Sequence, residues 1–487
     1  MSGLKKNFLY QTGYQILTTA LPVITSPYLS RVLGSEGLGI YSYTSSIVNY
    51  FVLFAMMGLN NYGTRSIALV RNDREKLNNT FSEIYYLQII LSLISFISYY
   101  VFILYFMKSN LIIYVIQSIL IINCSLDIGW FYFGMEKFKV TVTRNTVVKI
   151  ITLILIFIFV KEENDLWKYI LIMTLGVLLS EIILFKDLKN FVSFKLVRIN
   201  KIISHFRPCL MLFIPILAMS VYHQMDKTML GILSSYTETG YYYNADKIIN
   251  IPMGIITGLG IVSLPRISAI ISEKKIDEYK NIFFKSFNLI MFMCSAIAFG
   301  ISSISNEFTI CFFGVEYQAC ISLISMLSVV IYFKAWSTVA RNQYLIPFKK
   351  DKIYLFSVII GAIINFIVNF ILIRDLGAKG AVIGTLVAEG LVSVIQLYYV
   401  KDIISIKRII FSNIIYPIAG CIMFISVRIF SNIYIENLIL KVILEIIIGA
   451  NVFIGICIVY WEKNDDEVFL PLLKSYKDKI KRKVINL

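Results

Sequence analysis

Fourteen long apolar runs, separated by short polar connections, constrain this chain more than any other feature of its sequence. A helix needs about 20 mostly apolar residues to cross the hydrocarbon core of a bilayer. Because 58% of the residues are hydrophobic and only 16% are charged, a water-soluble domain could not bury this much apolar surface. The sequence therefore predicts an all-α polytopic membrane protein with about 14 transmembrane helices. The predicted spans are 8–31, 39–64, 81–107, 111–133, 140–160, 167–187, 208–231, 239–264, 283–305, 319–344, 353–374, 379–400, 409–430 and 438–461.

The connections between these runs alternate in charge. One set is rich in bases, among them Lys137, Lys139 and Arg144 and the stretch 186–207, whereas residues 306–318 contain neither Lys nor Arg. By the positive-inside rule, the basic set and both termini are expected in the cytoplasm. The net charge of +16 has the same origin, so we expect no nucleic-acid partner. The first apolar run is too long for a cleaved signal peptide, and none is expected.

Short motifs recur along the chain at near-constant spacing. Gly39-Ile-Tyr41 matches Gly240-Tyr-Tyr242, and Arg65-Ser-Ile-Ala68 matches Arg266-Ile-Ser-Ala269, both at an offset of 201 residues. Six spans return the chain to the same side of the membrane, so the repeat is parallel, a known transporter plan with its substrate site between two lobes. We predict a first lobe over 1–190 with helices 1–6 and a second over 191–402 with helices 7–12. Helices 13 and 14 follow over 403–462, and a basic cytoplasmic tail follows over 463–487.

Several motifs resemble those of bacterial oligosaccharide repeat-unit flippases. This family is the polysaccharide transporter branch of the multidrug/oligosaccharidyl-lipid/polysaccharide exporter superfamily, and the resemblance covers nearly the whole chain. It implies two six-helix bundles in a V shape, with two appended helices. It also implies a cargo, an oligosaccharide repeat unit on undecaprenyl diphosphate, moved from the inner to the outer leaflet of the bacterial cytoplasmic membrane for capsule or related polysaccharide assembly. The motifs are Asp226-Lys-Thr-Met-Leu-Gly231, Gly240-Tyr-Tyr together with Ala245-Asp-Lys-Ile248, Leu264-Pro-Arg-Ile267, Trp130 to Lys139, Arg341 to Lys352 and Gly377 to Glu389.

The connections and the charged residues within the apolar runs limit the classes of function that the chain can have. Neither GxSxG, HExxH nor a Walker-A sequence is present, and the outward connections are too short for a catalytic domain, so we expect no enzyme. His205 and His223 are isolated, so we expect neither a metal nor a cofactor. One alternative is a drug/cation antiporter of the same superfamily, which favours a carboxylate-dominated cavity; another is a scaffold protein of an envelope complex. Expected partners are the lipid-linked oligosaccharide, membrane lipids, a polysaccharide polymerase and glycosyltransferases.

Charged residues inside the apolar runs are the candidate site residues, because a bilayer makes them costly. Five bases are expected to hold the substrate phosphates: Arg31, Arg65, Lys149, Lys227 and Arg266. The resemblance places the family's cations on the first, second, seventh and eighth helices. Lys149 is added because no acid lies one helical turn away from it. Asp226 is the expected counter-charge, and Glu181, Glu389, Asp127 and Asp226 itself are candidates for ion coupling.

Each of these residues also has an ordinary structural interpretation. An Arg near a helix end can extend to the membrane interface, and Glu181 and Glu389 could be buried partners of lysines. The tyrosines at 236 and 241–243 predict an interfacial aromatic belt or, alternatively, a surface for sugar stacking.

Overall fold

A computed structural model describes residues 2–401, 403–464 and 469–471 of the protein, without the side chains of 2–17, 19, 20, 138, 259–262, 265, 406, 408 and 410. The residues described are helical or lie in short connections, and none of them forms a strand. The chain divides into two compact units, Met1–Tyr243 and Asn244–Leu487. The lobe boundaries read from the sequence stay a prediction. The predicted basic tail lies outside the described residues beyond Asn464, apart from 469–471.

The first unit contains ten helices and the start of an eleventh among its described residues. They are α1 (Ser2–Met56), α2 (Leu59–Val70), α3 (Arg74–Phe106), α4 (Leu111–Gln117), α5 (Ile119–Leu126), α6 (Gly129–Gly134), α7 (Phe138–Phe159), α8 (Leu166–Leu188), α9 (Ile199–Ser204) and α10 (Phe206–Leu233). The long helix α11 (Tyr236–Ser272) begins in this unit and continues into the second. A 3₁₀ turn, Glu163–Asp165, precedes α8.

The second unit continues with helices of similar length. They are α12 (Ile276–Phe312), α13 (Gln318–Ser328), α14 (Val330–Ala340), α15 (Asp351–Leu376), α16 (Ala378–Val400), α17 (Ile406–Asn413), α18 (Ile415–Ser431) and α19 (Leu438–Lys463). A five-residue π-helix, Arg341–Leu345, follows α14. Helices α18 and α19 pack against each other and against α12.

The helices agree with the predicted spans, and the fold class is confirmed. Within the described residues, twelve helical stretches are long and apolar enough to cross a membrane. One of these, Leu21–Val70, includes the second half of the first predicted span and all of the second. The two predicted spans meet at a kink where Gly34 has φ 66° and ψ 178°. Helix α11 covers the eighth predicted span. Large apolar side chains such as Leu104 and Ile429 remain exposed on the helix surfaces, as the lipid-facing surface of a membrane protein requires.

The second predicted span, 39–64, differs from the structure at its end. Helix α1 stops at Met56, because Met57 (φ 34°) and Gly58 (φ 74°) both have positive φ, and a left-handed residue ends an α-helix. A separate helix, α2, follows. A Cβ on Gly58 would lie 3.0 Å from the carbonyl oxygen of Cys209, so the break lets the chain pass close to the start of α10.

Helix α2 is anchored by an aromatic core in the first unit. Gly63 lies so close to Trp130 of α6 that an added Cβ would meet the indole ring at 2.6 Å. The indole N–H of Trp130 donates to Oε1 of Gln88 at 2.8 Å, and its ring stacks on Phe81 with centroids 5.5 Å apart. Arg65 therefore lies on a short, firmly packed helix after the break rather than at the end of a continuous second span.

Candidate functional site

Two glycines of the repeated motif allow α1 and the start of α11 to cross in backbone contact. A Cβ on Gly39 would lie 1.7 Å from the carbonyl oxygen of Tyr236, and a Cβ on Gly240 would lie 1.9 Å from that of Ser35. Only glycine fits such an approach. The two contacts are reciprocal, because 35 and 236 are separated by the same 201 residues as 39 and 240. A local two-fold relation between the two helices at this crossing produces this pattern.

The crossing gathers three tyrosines and one lysine from four helices of the first unit. The ring of Tyr41 on α1 lies 5.1 Å from that of Tyr169 on α8 and 6.0 Å from that of Tyr243 on α11, both in edge-on geometry. The ammonium of Lys227 on α10 lies 5.7 Å from the centre of the Tyr243 ring. Lys227 also acts electrostatically on the Tyr41 hydroxyl. We call these four residues the tyrosine–lysine cluster; it combines aromatic surface with a positive charge.

The neighbours of Lys227 on α10 bind different partners. The Tyr242 hydroxyl donates to Oδ2 of the buried Asp226 at 2.5 Å. The hydroxyl of Thr228 lies 2.8 Å from that of Ser46 and 3.3 Å from that of Tyr50. Because successive helical residues point about 100° apart, the lysine is directed to the tyrosine–lysine cluster while its two neighbours join α10 to α1 and α11.

A second charged group lies buried between α7 and α8. Nη1 of Arg144 donates to Oε2 of Glu181 at 3.1 Å and to the carbonyl oxygen of Ser180 at 2.6 Å, and Nη2 donates to Oδ1 of Asn145 at 2.6 Å. Asp127, at the end of α5, accepts from the backbone N–H of Gly129 at 2.9 Å and acts electrostatically on Glu181. The partner of Glu181 is thus Arg144, one of the bases predicted to be cytoplasmic, rather than a lysine.

The structure brings some of the predicted site residues together and leaves others apart. Asp226 and Lys227 share the α10 network, and Asp127 and Glu181 share the electrostatic environment of Arg144. The other predicted residues lie elsewhere: Arg31 (α1, exposed), Arg65 (α2, exposed), Lys149 (α7, half-buried), and, in the second unit, Arg266 (α11, exposed) and Glu389 (α16, buried). The binding role of the five bases stays a prediction. Within the described part of the chain, no three His, Cys, Asp or Glu side chains are grouped to hold a metal.

Two polar features of the second unit were missed from the sequence. One is the π-helix after α14, where Nη1 of Arg341 donates to the Tyr354 hydroxyl at 3.2 Å and the guanidinium lies 5.5 Å from the Tyr354 ring centre. The other is a charged cluster of α12, α18 and α19, in which the buried Glu307 and Glu445 lie beside the partly exposed Arg428 and Lys441. In the sequence, the charged residues Lys441 and Glu445 inside the last apolar run could have indicated this cluster.

This chain is similar to proteins of polysaccharide biosynthesis, to transporters and to a flippase. A family model described as polysaccharide biosynthesis protein matches residues 4–271. The putative O-antigen transporter of Shigella dysenteriae is 26% identical over 401 residues, which cover 82% of this chain and 100% of that protein. That of Escherichia coli (strain K12) is 24% identical over 417 residues, covering 82% of this chain and 97% of that protein. The solved structure of the lipid II flippase MurJ, in an inward closed conformation, matches with a TM-score of 0.74 at 14% identity, covering 94% of this chain and 100% of that chain.

Proposed function

Because the chain belongs to the polysaccharide biosynthesis protein family, we propose that it is a flippase for lipid-linked oligosaccharides. The proposed cargo is an oligosaccharide repeat unit on undecaprenyl diphosphate, which moves from the inner to the outer leaflet of the bacterial cytoplasmic membrane. The product supplies the assembly of capsule or a related surface polysaccharide. The names of the two transporter relatives and the fold shared with MurJ support this proposal.

The tyrosine–lysine cluster is the observation that carries the proposal. A sugar diphosphate presents apolar ring faces and anionic oxygens next to each other. Aromatic side chains with a few well-placed polar groups are typical of small-molecule sites, and lysine binds phosphate as a point charge. Tyr41, Tyr169 and Tyr243 offer the aromatic surface, and Lys227 offers the charge beside it.

The physical problem of flipping explains why such a site is needed. A diphosphate cannot enter hydrocarbon unaided, since removing an unpaired charge from water is prohibitively costly. In the proposed mechanism, bases replace the water around the phosphates, while the lipid tail stays in the bilayer. Alternating access between two repeated lobes then exposes the site to one side of the membrane at a time. Asp127, Glu181 and Glu389 are the proposed ion-coupling carboxylates, and Asp226 is the proposed counter-charge of the site.

A flipping assay with purified protein tests the proposal. Proteoliposomes carrying a fluorescent undecaprenyl-diphosphate oligosaccharide are expected to move it between leaflets, measured as accessibility to an added quencher. Lys227→Ala should lower the rate about tenfold or more, because a hydrogen bond to a charged group is worth about 1.5–3 kcal/mol. Lys189→Ala, an exposed lysine at the end of α8, serves as the matched control and should retain the wild-type rate.

The same assay separates the antiporter alternative. Drug-driven cation exchange without movement of the oligosaccharide lipid would reject the flippase proposal in favour of the antiporter. Flipping at an unchanged rate in Lys227→Ala would instead reject the assignment of the tyrosine–lysine cluster. Cytoplasmic termini and contacts with a polysaccharide polymerase and glycosyltransferases complete the proposal, and pull-down from native membranes tests those contacts.

A further inference from the structure

Glu445 lies on the covered side of the last membrane helix. The buried residues of α19 recur every three or four positions, at Val442, Glu445, Gly449, Phe453, Cys457 and Trp461, so they form one face of the helix. Ile446 and Ile447 on the other side are about half exposed. Glu445 itself has 0% of its surface exposed. It lies seven residues into the helix, roughly 10 Å from its start at about 1.5 Å per residue.

The charged groups around Glu445 are already engaged with one another. Glu307 on α12 accepts from Nη1 of Arg428 on α18 at 3.1 Å. Nζ of Lys441 lies 3.4 Å from the other carboxylate oxygen of Glu307 and donates to the carbonyl oxygen of Ser431 at 2.7 Å. Arg428 also donates to the carbonyl oxygen of Ser303 at 3.0 Å. Glu307 therefore holds two cations, and its own negative charge is well compensated.

Glu445 receives none of these contacts. Among the described residues, neither of its carboxylate oxygens has a hydrogen-bond partner, although both are buried. Lys441 precedes it by one helical turn, the spacing at which a lysine and a glutamate on one helix can pair, but the lysine is directed to Glu307. The titratable and charged groups that face Glu445 are Glu307 from α12, Arg428 from α18 and Lys441 from its own helix.

An ionised Glu445 would be a buried anion without a partner, and proteins avoid this arrangement by neutralising the group. Glu307 would repel this anion. Arg428 and Lys441 would attract it, but both cations are already in direct contact with Glu307. A proton on Glu445 removes the unpaired charge. It leaves the hydrogen bonds of Glu307 intact.

We propose that Glu445 is a proton-binding site, occupied at neutral pH, beside the contacts that Glu307 makes with Arg428 and Lys441. Loss of the proton to water leaves a carboxylate on Glu445, and the ammonium of Lys441, one turn away, can rotate from Glu307 to this new anion. Glu307 keeps Arg428, so both acids remain compensated. The site can therefore load and release a proton with the rotation of one lysine side chain. The proposal does not depend on the identity of the cargo.

Infrared spectroscopy of the purified full-length protein in lipid nanodiscs tests the site directly. A protonated carboxyl group has a C=O stretching band that a carboxylate lacks, and the wild-type protein is expected to show this band at neutral pH and to lose part of it on titration to alkaline pH. Glu445→Gln should remove that part of the band. Glu436→Gln, in the exposed connection before α19, is the matched control and should leave the band unchanged. A band of equal intensity and pH dependence in Glu445→Gln would overturn the proposal.

Variants of Lys441 and Glu307 test the proposed rotation of the lysine from one carboxylate to the other. Lys441→Met removes the cation that would stabilise the carboxylate, so loss of the band should move to higher pH by about one unit or more. Glu307→Gln frees both cations and should move the loss to lower pH. Shifts in the opposite directions would reject the proposed exchange of Lys441.

A measurement on the wild-type protein avoids dependence on the folding of variants. Dicyclohexylcarbodiimide modifies protonated carboxyl groups in apolar surroundings, and mass spectrometry locates the adduct. Modification of Glu445 at neutral pH, falling at alkaline pH, supports the site. Modification of Glu307 instead of Glu445 would overturn the proposal. Protection of Glu445 by Na⁺ at constant pH would replace the proton with a metal cation and would also overturn it.

Discussion

Replacement of Gly39 by alanine should separate the helices that form the tyrosine–lysine cluster. The new methyl group would lie 1.7 Å from the carbonyl oxygen of Tyr236, whereas ordinary contact begins at 3.4 Å. The obstructing atom belongs to the backbone of α11, so no side-chain rotation relieves the clash, and the helices must move apart by about 1.7 Å in a densely packed contact. Overpacking of this kind costs about 1–3 kcal/mol, and occasionally more.

The measurement is the thermal stability of the purified protein, with flipping as a second readout. Gly39→Ala should lower the midpoint of unfolding and reduce the flipping rate, because the 6.0 Å contact between the rings of Tyr41 and Tyr243 depends on the crossing. Gly258→Ala is the control on α11, since nothing lies within 4 Å of its added Cβ. Alanine there should be neutral or stabilising by up to about 1 kcal/mol.

The reciprocal contact adds a quantitative test. Gly240→Ala should be destabilising for the same reason, since its Cβ would lie 1.9 Å from the carbonyl oxygen of Ser35. Once one alanine has opened the crossing, the second costs less, so the double variant should lose less stability than the sum of the single losses. If Gly39→Ala melts at the wild-type temperature, or if the two losses add fully, the close crossing described here is wrong.

Three further predictions follow from the charged residues. Glu181→Gln leaves Arg144 buried without its carboxylate and should destabilise the protein by about 3–5 kcal/mol, measured by denaturant or thermal unfolding against wild type; an unchanged stability would contradict the buried pair. If Arg65 and Arg266 bind phosphate bidentately, Arg65→Lys and Arg266→Lys should fail to restore surface polysaccharide in a strain that lacks the protein, at matched membrane levels. Wild-type amounts of polymer from both variants would mean that the two arginines only extend to the interface. Reporter fusions at Ser235 and at the carboxyl terminus should report opposite sides of the membrane, and the same side would contradict the topology.

Hydropathy was sufficient for the membrane helices but not for their internal breaks. The kink at Gly34 falls in the polar gap between the first two apolar runs, where the sequence predicts a boundary. The break at Met57 and Gly58 lies inside an apolar run, and hydropathy does not respond to two residues with positive φ. The separate helix α2 was missed for this reason, although Gly58 was a local signal.

The partners of the buried charged residues were likewise not predicted from the sequence. Arg144 is close to the predicted cytoplasmic end of its apolar run, so the positive-inside rule counts it with the bases of a loop. Its guanidinium is nevertheless buried against Glu181. Lys441 and Glu445 have the spacing of a helical ion pair, yet the lysine contacts Glu307. In both cases the partner comes from another helix, and a single sequence without tertiary contacts does not identify it.

The tyrosine–lysine cluster was predicted only in part. Lys227 was selected because a charge within an apolar run is costly, and the tyrosines near position 242 were recognised as a belt or a stacking surface. Tyr41 and Tyr169 were not selected, since a tyrosine in an apolar helix has no distinctive pattern. The glycines at 39 and 240 were the available signal, because a glycine within a helix allows another backbone to approach closely.

The ion pairs of the two units impose different orders of assembly during membrane insertion. Arg144 and Glu181 are 37 residues apart on consecutive membrane helices, so they can pair as a hairpin while the chain is still leaving the translocon. Glu307 and Arg428 are 121 residues apart, so α12 enters the membrane long before its cation has been synthesised. The last two helices therefore supply the cationic partners of Glu307 only after α12 has been synthesised.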